Sequence, residues 1–212
     1  DSVIYIENEL FSGCYSLRYL KLGKSISHIR KNVFPIYYDD YGYPCSSIDT
    51  LICEFNDSVE FDIFDNSGSL LHPLAFMSNL RYFMGPSKMI NTFSEQYQAY
   101  FPTKLMDIHI IDGELDENGF NFINRSKKSL HTIDLAGATN TAINDLAFYD
   151  CYKLENLTLP KNIETIGYKA FADCKHLTEL TIPASVTEIG ESAFENCRSI
   201  NTLTFEEGSA LE

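Results

Sequence analysis

The sequence predicts an α/β-type, right-handed solenoid of about eight stacked turns, with short parallel strands on one face and irregular or short helical returns. Three observations carry this prediction. Apolar columns recur with a step of 23 residues in the C-terminal third, the same frame fits the N-terminus, and a strand signature threads the stretch between them.

The C-terminal columns are the densest. Ala147 and Phe148 recur as Ala170 and Phe171, then as Ala193 and Phe194. Cys151, Cys174 and Cys197 keep the same step, as do Leu157, Leu180 and Leu203. Pro160 and Pro183 follow the strand, where a missing N–H helps end pairing. At the N-terminus Ile6, Phe11, Cys14, Leu17, Leu20, Leu22, Ile26 and Ile29 occupy equivalent offsets, with Gly23 replacing the proline. Between these ends the turns are stretched by insertions. They are followed by apolar residues at relative positions 1, 4 and 6: Ile48, Leu51 and Cys53; Leu80 and Phe83; Leu105, Ile108 and Ile110; Leu130, Ile133 and Leu135. Turns therefore begin at 17, 48, 80, 105, 130, 154, 177 and 200. Regular turns are expected over 6–34 and 143–205, and stretched ones over 35–142, within a single solenoid spanning 1–212.

A strand of this length cannot bury one face alone. Stacking the next copy about 4.8 Å away satisfies the backbone and closes a continuous core. Positions 4 and 6 then face inward and positions 3 and 5 outward, because side chains alternate along a strand. The small alanine followed by a bulky phenylalanine predicts a tight return, with the ring filling the core from the opposite wall.

The run from Ile163 through Ala170, Phe171, Cys174, Leu177, Leu180 and Ile182 to Pro183 resembles the 23-residue leucine-rich repeat of BspA-type bacterial surface proteins. The resemblance is carried by 143–205, extends over 6–34, and rests on strand signatures alone over 35–130. It implies a secreted or surface-attached protein, extracellular in location, whose relatives include adhesins for host matrix and cell-surface proteins. It carries no catalytic residues and implies no cofactor and no metal. The expected function is thus a non-enzymatic protein-binding or adhesion module. A glycan-binding module and a structural spacer, holding another domain away from the cell, are the alternatives.

Composition narrows the partners. Thirty acidic residues against 16 basic ones give a net charge of −14, which disfavours nucleic acid. No apolar run approaches the roughly 18 residues of a membrane span. The start at Asp1 shows no leader signature and fits a trimmed or mature chain. At the other end, Phe205 to Glu212 reads as a repeat about to continue, so the chain is expected to be a segment of a longer protein.

Candidate sites follow from what the columns leave unused. Cys14, Cys53, Cys151, Cys174 and Cys197 sit in apolar columns and read as small buried residues rather than disulfides or zinc ligands. His109 and His131 fall near equivalent strand positions on adjacent turns. Asp112 to Glu117 is acidic but lacks the oxygen spacing of a calcium loop, and reads as a solvated turn. Asn91 to Lys104 is irregular and aromatic, with the pattern of a short amphipathic helix. The outward stripe is more informative. Its C-terminal half is threonine, asparagine and acid, as exposed strands tolerate. Its N-terminal half holds Tyr19, Ile52, Tyr82 and Met84, which form either an exposed apolar interaction patch or a surface roofed by an insertion. The insertion from Pro35 to Pro44 carries Tyr37, Tyr38, Tyr41 and Tyr43. It would anchor a protein or stack on a sugar, or else cover neighbouring turns.

Overall fold

A computed structural model describes residues 4–7, 9–11, 13–30, 33, 37–38, 44–45, 47–61, 74, 77–91, 102–209 and 211. Each expected turn contributes one strand to the front face. These are β2 (Tyr19–Leu22), β6 (Thr50–Cys53), β8 (Tyr82–Gly85), β9 (Asp107–Ile110), β10 (Thr132–Asp134), β12 (Asn156–Thr158), β14 (Glu179–Ile182) and β16 (Thr202–Phe205). Every one starts two residues after the turn's first position. All the pairings among them are parallel and in register.

A second wall of two-residue strands runs behind. It comprises β1 (Tyr5–Ile6), β3 (His28–Ile29) and β7 (Glu60–Phe61) at one end, and β11 (Ala142–Ile143), β13 (Thr165–Ile166) and β15 (Glu188–Ile189) at the other. Among the described strands, only β4 (Tyr37–Tyr38) and β5 (Pro44–Cys45) pair antiparallel, both within the first insertion.

The core lies between the walls and runs through the stack as one apolar cluster. Inward positions are buried from Leu20 and Leu22 through Phe83, Ile108 and Ile133 to Leu180 and Ile182, with Leu157 on β12 half-buried. At full burial each such side chain contributes on the order of 1.5–3 kcal/mol. Leu203 and Phe205, on the last strand, occupy the same columns yet are half exposed, with β14 on one side and no described strand on the other.

The returns are built from left-handed residues. In the regular turns φ is positive one residue before the alanine (Leu146, Lys169, Ser192) and two after the phenylalanine (Asp150, Asp173, Asn196). Glu9 and Gly13 hold the same two places in the first turn. The reversal thus sits beside the alanine and not at it. Successive returns are joined by backbone bonds, as from Phe148 N to Ala170 O (2.8 Å) and Phe171 N to Ala193 O (2.8 Å). The rings behind them stack: Phe148 on Phe171 at 5.2 Å, and Phe171 on Phe194 at 5.5 Å with 2° between planes.

Leu146 combines φ of 59° with 47% exposure, so its left-handed backbone gains little from packing. A non-glycine residue in this region costs roughly 1–2 kcal/mol, least for Asn and Asp. Leu146→Asn is expected to stabilise the protein by about 1 kcal/mol, raising Tm by roughly 2–4 °C. A fall in Tm would show that the leucine is needed for packing.

Middle turns replace the alanine–phenylalanine return with helices. α1 (Lys88–Asn91) and α2 (Glu117–Asn124) pack together. Asp116 caps α2 by accepting from Gly119 N at 2.9 Å. Phe120 then meets Phe148 edge-on at 5.7 Å, so the helix extends the ring stack. The acidic segment from Asp112 is only partly the solvated turn expected of it. Asp112 is half-buried and accepts from Asp57 N (2.9 Å), while Asp57 accepts from Lys88 N (2.8 Å) and so caps α1 from the preceding turn. Of the aromatic stretch expected as a helix, only Asn91 and residues 102–104 are described.

The front sheet has a break. Six strands form one sheet, from β12 to β2, and β14 with β16 forms another. Elsewhere the carbonyl before each strand accepts two N–H groups of the next turn, as Thr178 O does from Asn201 N (3.0 Å) and Thr202 N (3.3 Å). Among the described residues, Glu155 O receives no such pair from Thr178 and Glu179. A cleft of about 380 Å³ opens there, lined by Leu157, Thr158, Glu179 and Thr181 among others. The back wall and the returns stay paired across the same level.

Candidate binding face

Parallel register converts the outward stripe into two rows. One runs Tyr19, Thr50, Tyr82, Asp107, Thr132 and Asn156; the other runs Lys21, Ile52, Met84, His109, Asp134 and Thr158. Tyr19, Ile52, Tyr82 and Met84 are therefore brought together on three adjacent strands. Tyr19 is 55% exposed, and the other three are half-buried.

Charged groups border the patch. On one side Lys21 Nζ meets Glu54 Oε1 at 2.6 Å, and the hydrogen bond and charge of Glu54 raise the lysine's pKa. Arg18 and Asp49 approach to 4.0 Å. On the other side His109 Nδ1 lies 3.2 Å from Asp134 Oδ2, while the Tyr82 and His109 rings sit 5.1 Å apart. Burial, then the Asp107 and Asp134 carboxylates, push the Tyr82 hydroxyl above its ordinary range. His109 is thus tied to Asp134. The expected neighbour His131 instead lies just before the next strand, β10, its N–H donating to Met106 O (2.7 Å).

Of the loop tyrosines, Tyr37 and Tyr38 lie in β4, whose backbone pairs with β5. Tyr41 and Tyr43 lie outside the described residues.

Among the described cysteines, those in the interior of the stack pack as their columns predict and those toward its ends do so less. Cys53, Cys151 and Cys174 are buried and free, and Cys197 is half-buried. Burial pushes the Cys151 thiol up to about 12 and Cys53 up as well. Cys174 is raised first by its hydrogen bond with Cys197, then by burial. Such thiols are not thiolates at neutral pH. Cys14 is free but exposed, because it sits at the edge of the stack.

A serine–histidine–carboxylate chain that sequence spacing does not reveal lies on the back wall. Ser27 Oγ is 2.7 Å from His28 Nδ1, and His28 Nε2 is 3.0 Å from Glu60. Tyr5 stacks on the imidazole at 4.5 Å. Hydrolysis by such a group needs oxyanion donors beside the hydroxyl. Ser27 Oγ instead reaches the Ile4 carbonyl, an acceptor, at 3.4 Å. What the cluster does is tie the first turns together. Among the described residues no group of three His, Cys, Asp or Glu side chains is placed to hold a metal ion, and no helix is long and apolar enough to cross a membrane.

Stacked parallel strands with short returns and a continuous leucine-rich core define a leucine-rich repeat solenoid. The BspA type leucine rich repeat region, in 6 copies, matches residues 1–110 and 118–210, and the chain belongs to this family. Among solved structures it is similar to a leucine-rich repeat protein from Bacteroides ovatus (19% identity, TM-score 0.39), covering 97% of this chain and 47% of that one. It is also similar to a leucine rich cell surface protein from Faecalibacterium prausnitzii (21% identity, TM-score 0.35), covering 96% of this chain and 43% of that one. The chain thus spans about half the length of these proteins. No curated protein matches it.

Proposed function

We propose that the front face at β2, β6 and β8 is a protein-binding surface. On this reading the chain serves an exported bacterial surface protein as a non-enzymatic recognition or adhesion module. The supporting observation is the contiguity of Tyr19, Ile52, Tyr82 and Met84 on adjacent strands, with Tyr19 largely open to solvent. Aromatic and methionine side chains are enriched where protein surfaces meet. The family match supports reading the chain as part of an extracellular or surface-attached protein, with host matrix or cell-surface proteins as the proposed partners.

Arrays of purified matrix proteins and of glycans, probed with the same labelled protein, test this reading. The expected result is saturable binding to a protein, weakened at least about tenfold by Tyr19→Ala with Tyr82→Ala, a loss of roughly 1.4 kcal/mol. An affinity unchanged by these substitutions refutes the face. Binding confined to glycans transfers the function to the carbohydrate alternative.

A further inference from the structure

The front face carries the apolar and aromatic side chains Tyr19, Ile52, Tyr82 and Met84 on β2, β6 and β8, and Asp107 and Asp134 on the two strands just beyond them. Asp107 lies beside Tyr82, and Asp134 lies two strands from Met84 through His109. Lys21 at the far border is already matched by Glu54, whereas Asp107 has no ion pair among the described residues. The imidazole of His109 is the one basic group contacting Asp134 among them. The chain as a whole carries a net charge of −14. A partner laid across these strands therefore passes from a greasy surface to a negative one.

Distance sets the partner's pattern. Two strand steps span about 9.6 Å. A polyproline-II-like segment advances about 3.1 Å per residue with three residues per turn, so residues three apart share a side at about 9.3 Å. From this match we infer that the face recognises an extended peptide segment bearing an apolar residue and a Lys or Arg three positions apart. The apolar side chain rests on Ile52 and Met84, and the cation lies between Asp107 and Asp134. The inference rests on the front face being the binding surface and adds the chemistry of what it takes. Arginine fits best, because its planar fork can engage a carboxylate and stack on the Tyr82 ring.

A displayed library of random 12-residue peptides selected on the immobilised protein tests this. Enriched sequences should carry Leu, Ile, Phe or Tyr three residues from Lys or Arg. Their synthetic forms should bind about tenfold more weakly to the Asp107→Asn, Asp134→Asn protein, with a shallower salt dependence. The asparagines preserve shape, and an unchanged Tm confirms folding. Peptides that need Tyr19 and Tyr82 but carry no basic residue, or ignore the two asparagines, overturn the inference and leave the face standing. Peptides indifferent to Tyr19, Ile52 and Tyr82 as well overturn both. If no peptide is enriched the inference also fails, and the matrix-protein array decides the face independently.

Discussion

Phe171→Ala should lower stability by about 4 kcal/mol, within the roughly 3–5 kcal/mol seen for emptied aromatic sites. Phe171 is fully buried, lies between Phe148 and Phe194 in the ring stack, and has nearly parallel neighbours on both sides. Truncation therefore removes the transfer free energy of one ring and leaves two others facing a void that the backbone bonds of the returns keep from collapsing. For a chain of this length the expected fall in Tm is about 10 °C. Phe171→Leu, which refills most of the space, should cost about half as much. Thermal and chemical denaturation followed by circular dichroism measure both. Equal effects would show that refilling the volume recovers nothing and that the loss lies in the stacked ring itself.

A comparable loss is expected from adding a single methyl group at Gly190. A Cβ there would stand 2.6 Å from Gly167 C and from Tyr168 N. Both are backbone atoms of the preceding turn, which Gly190 N grips through Ile166 O at 2.6 Å. No side chain can rotate away, so the turns must separate. Gly190→Ala should cost about 3 kcal/mol, at the upper end for overpacking. Gly23→Ala is the matched control: nothing lies within 4 Å of its added carbon. It should change stability by less than about 0.5 kcal/mol. Equal effects at the two sites would show that close approach between turns does not set the cost.

Much of this fold is legible in the sequence because a solenoid repeats its constraints. The strand columns placed all eight front strands, including those separated by insertions, since an inward pair such as Ile108 and Ile110 must be apolar wherever the turn falls. The left-handed positions were half legible. Gly13, Asp150, Asp173 and Asn196 form a column of residues that tolerate positive φ, but Leu146 and Lys169 give no such sign. The caps that Asp57 and Asp116 provide depend on which insertion folds against which, and periodicity is silent on that.

The candidate face divides the same way. Alternation predicted that Tyr19, Ile52, Tyr82 and Met84 point outward. Their adjacency, and the tie between His109 and Asp134, depend on register across insertions of unequal length. Cys14 misled because its column buries a side chain only when both neighbouring turns are present. The gap between β12 and β14 leaves no trace in the sequence. Leu157 and Leu180 are the same column residue in near-identical strands, and what differs is how their backbones meet.

That gap changes how load passes along the solenoid. In an unbroken stack each turn is gripped on the front, the back and the return, so tension at one end is shared three ways. Here a pull on β16 travels through β14, and among the described residues the hydrogen bonds that carry it on past β12 are those of β15 with β13 and of the returns. At this level the described front strands are unpaired while the rear strands are hydrogen-bonded. Under force the two blocks would pivot about the rear wall before any strand of the aromatic face lost its neighbours, leaving Tyr19 to Met84 on a rigid platform.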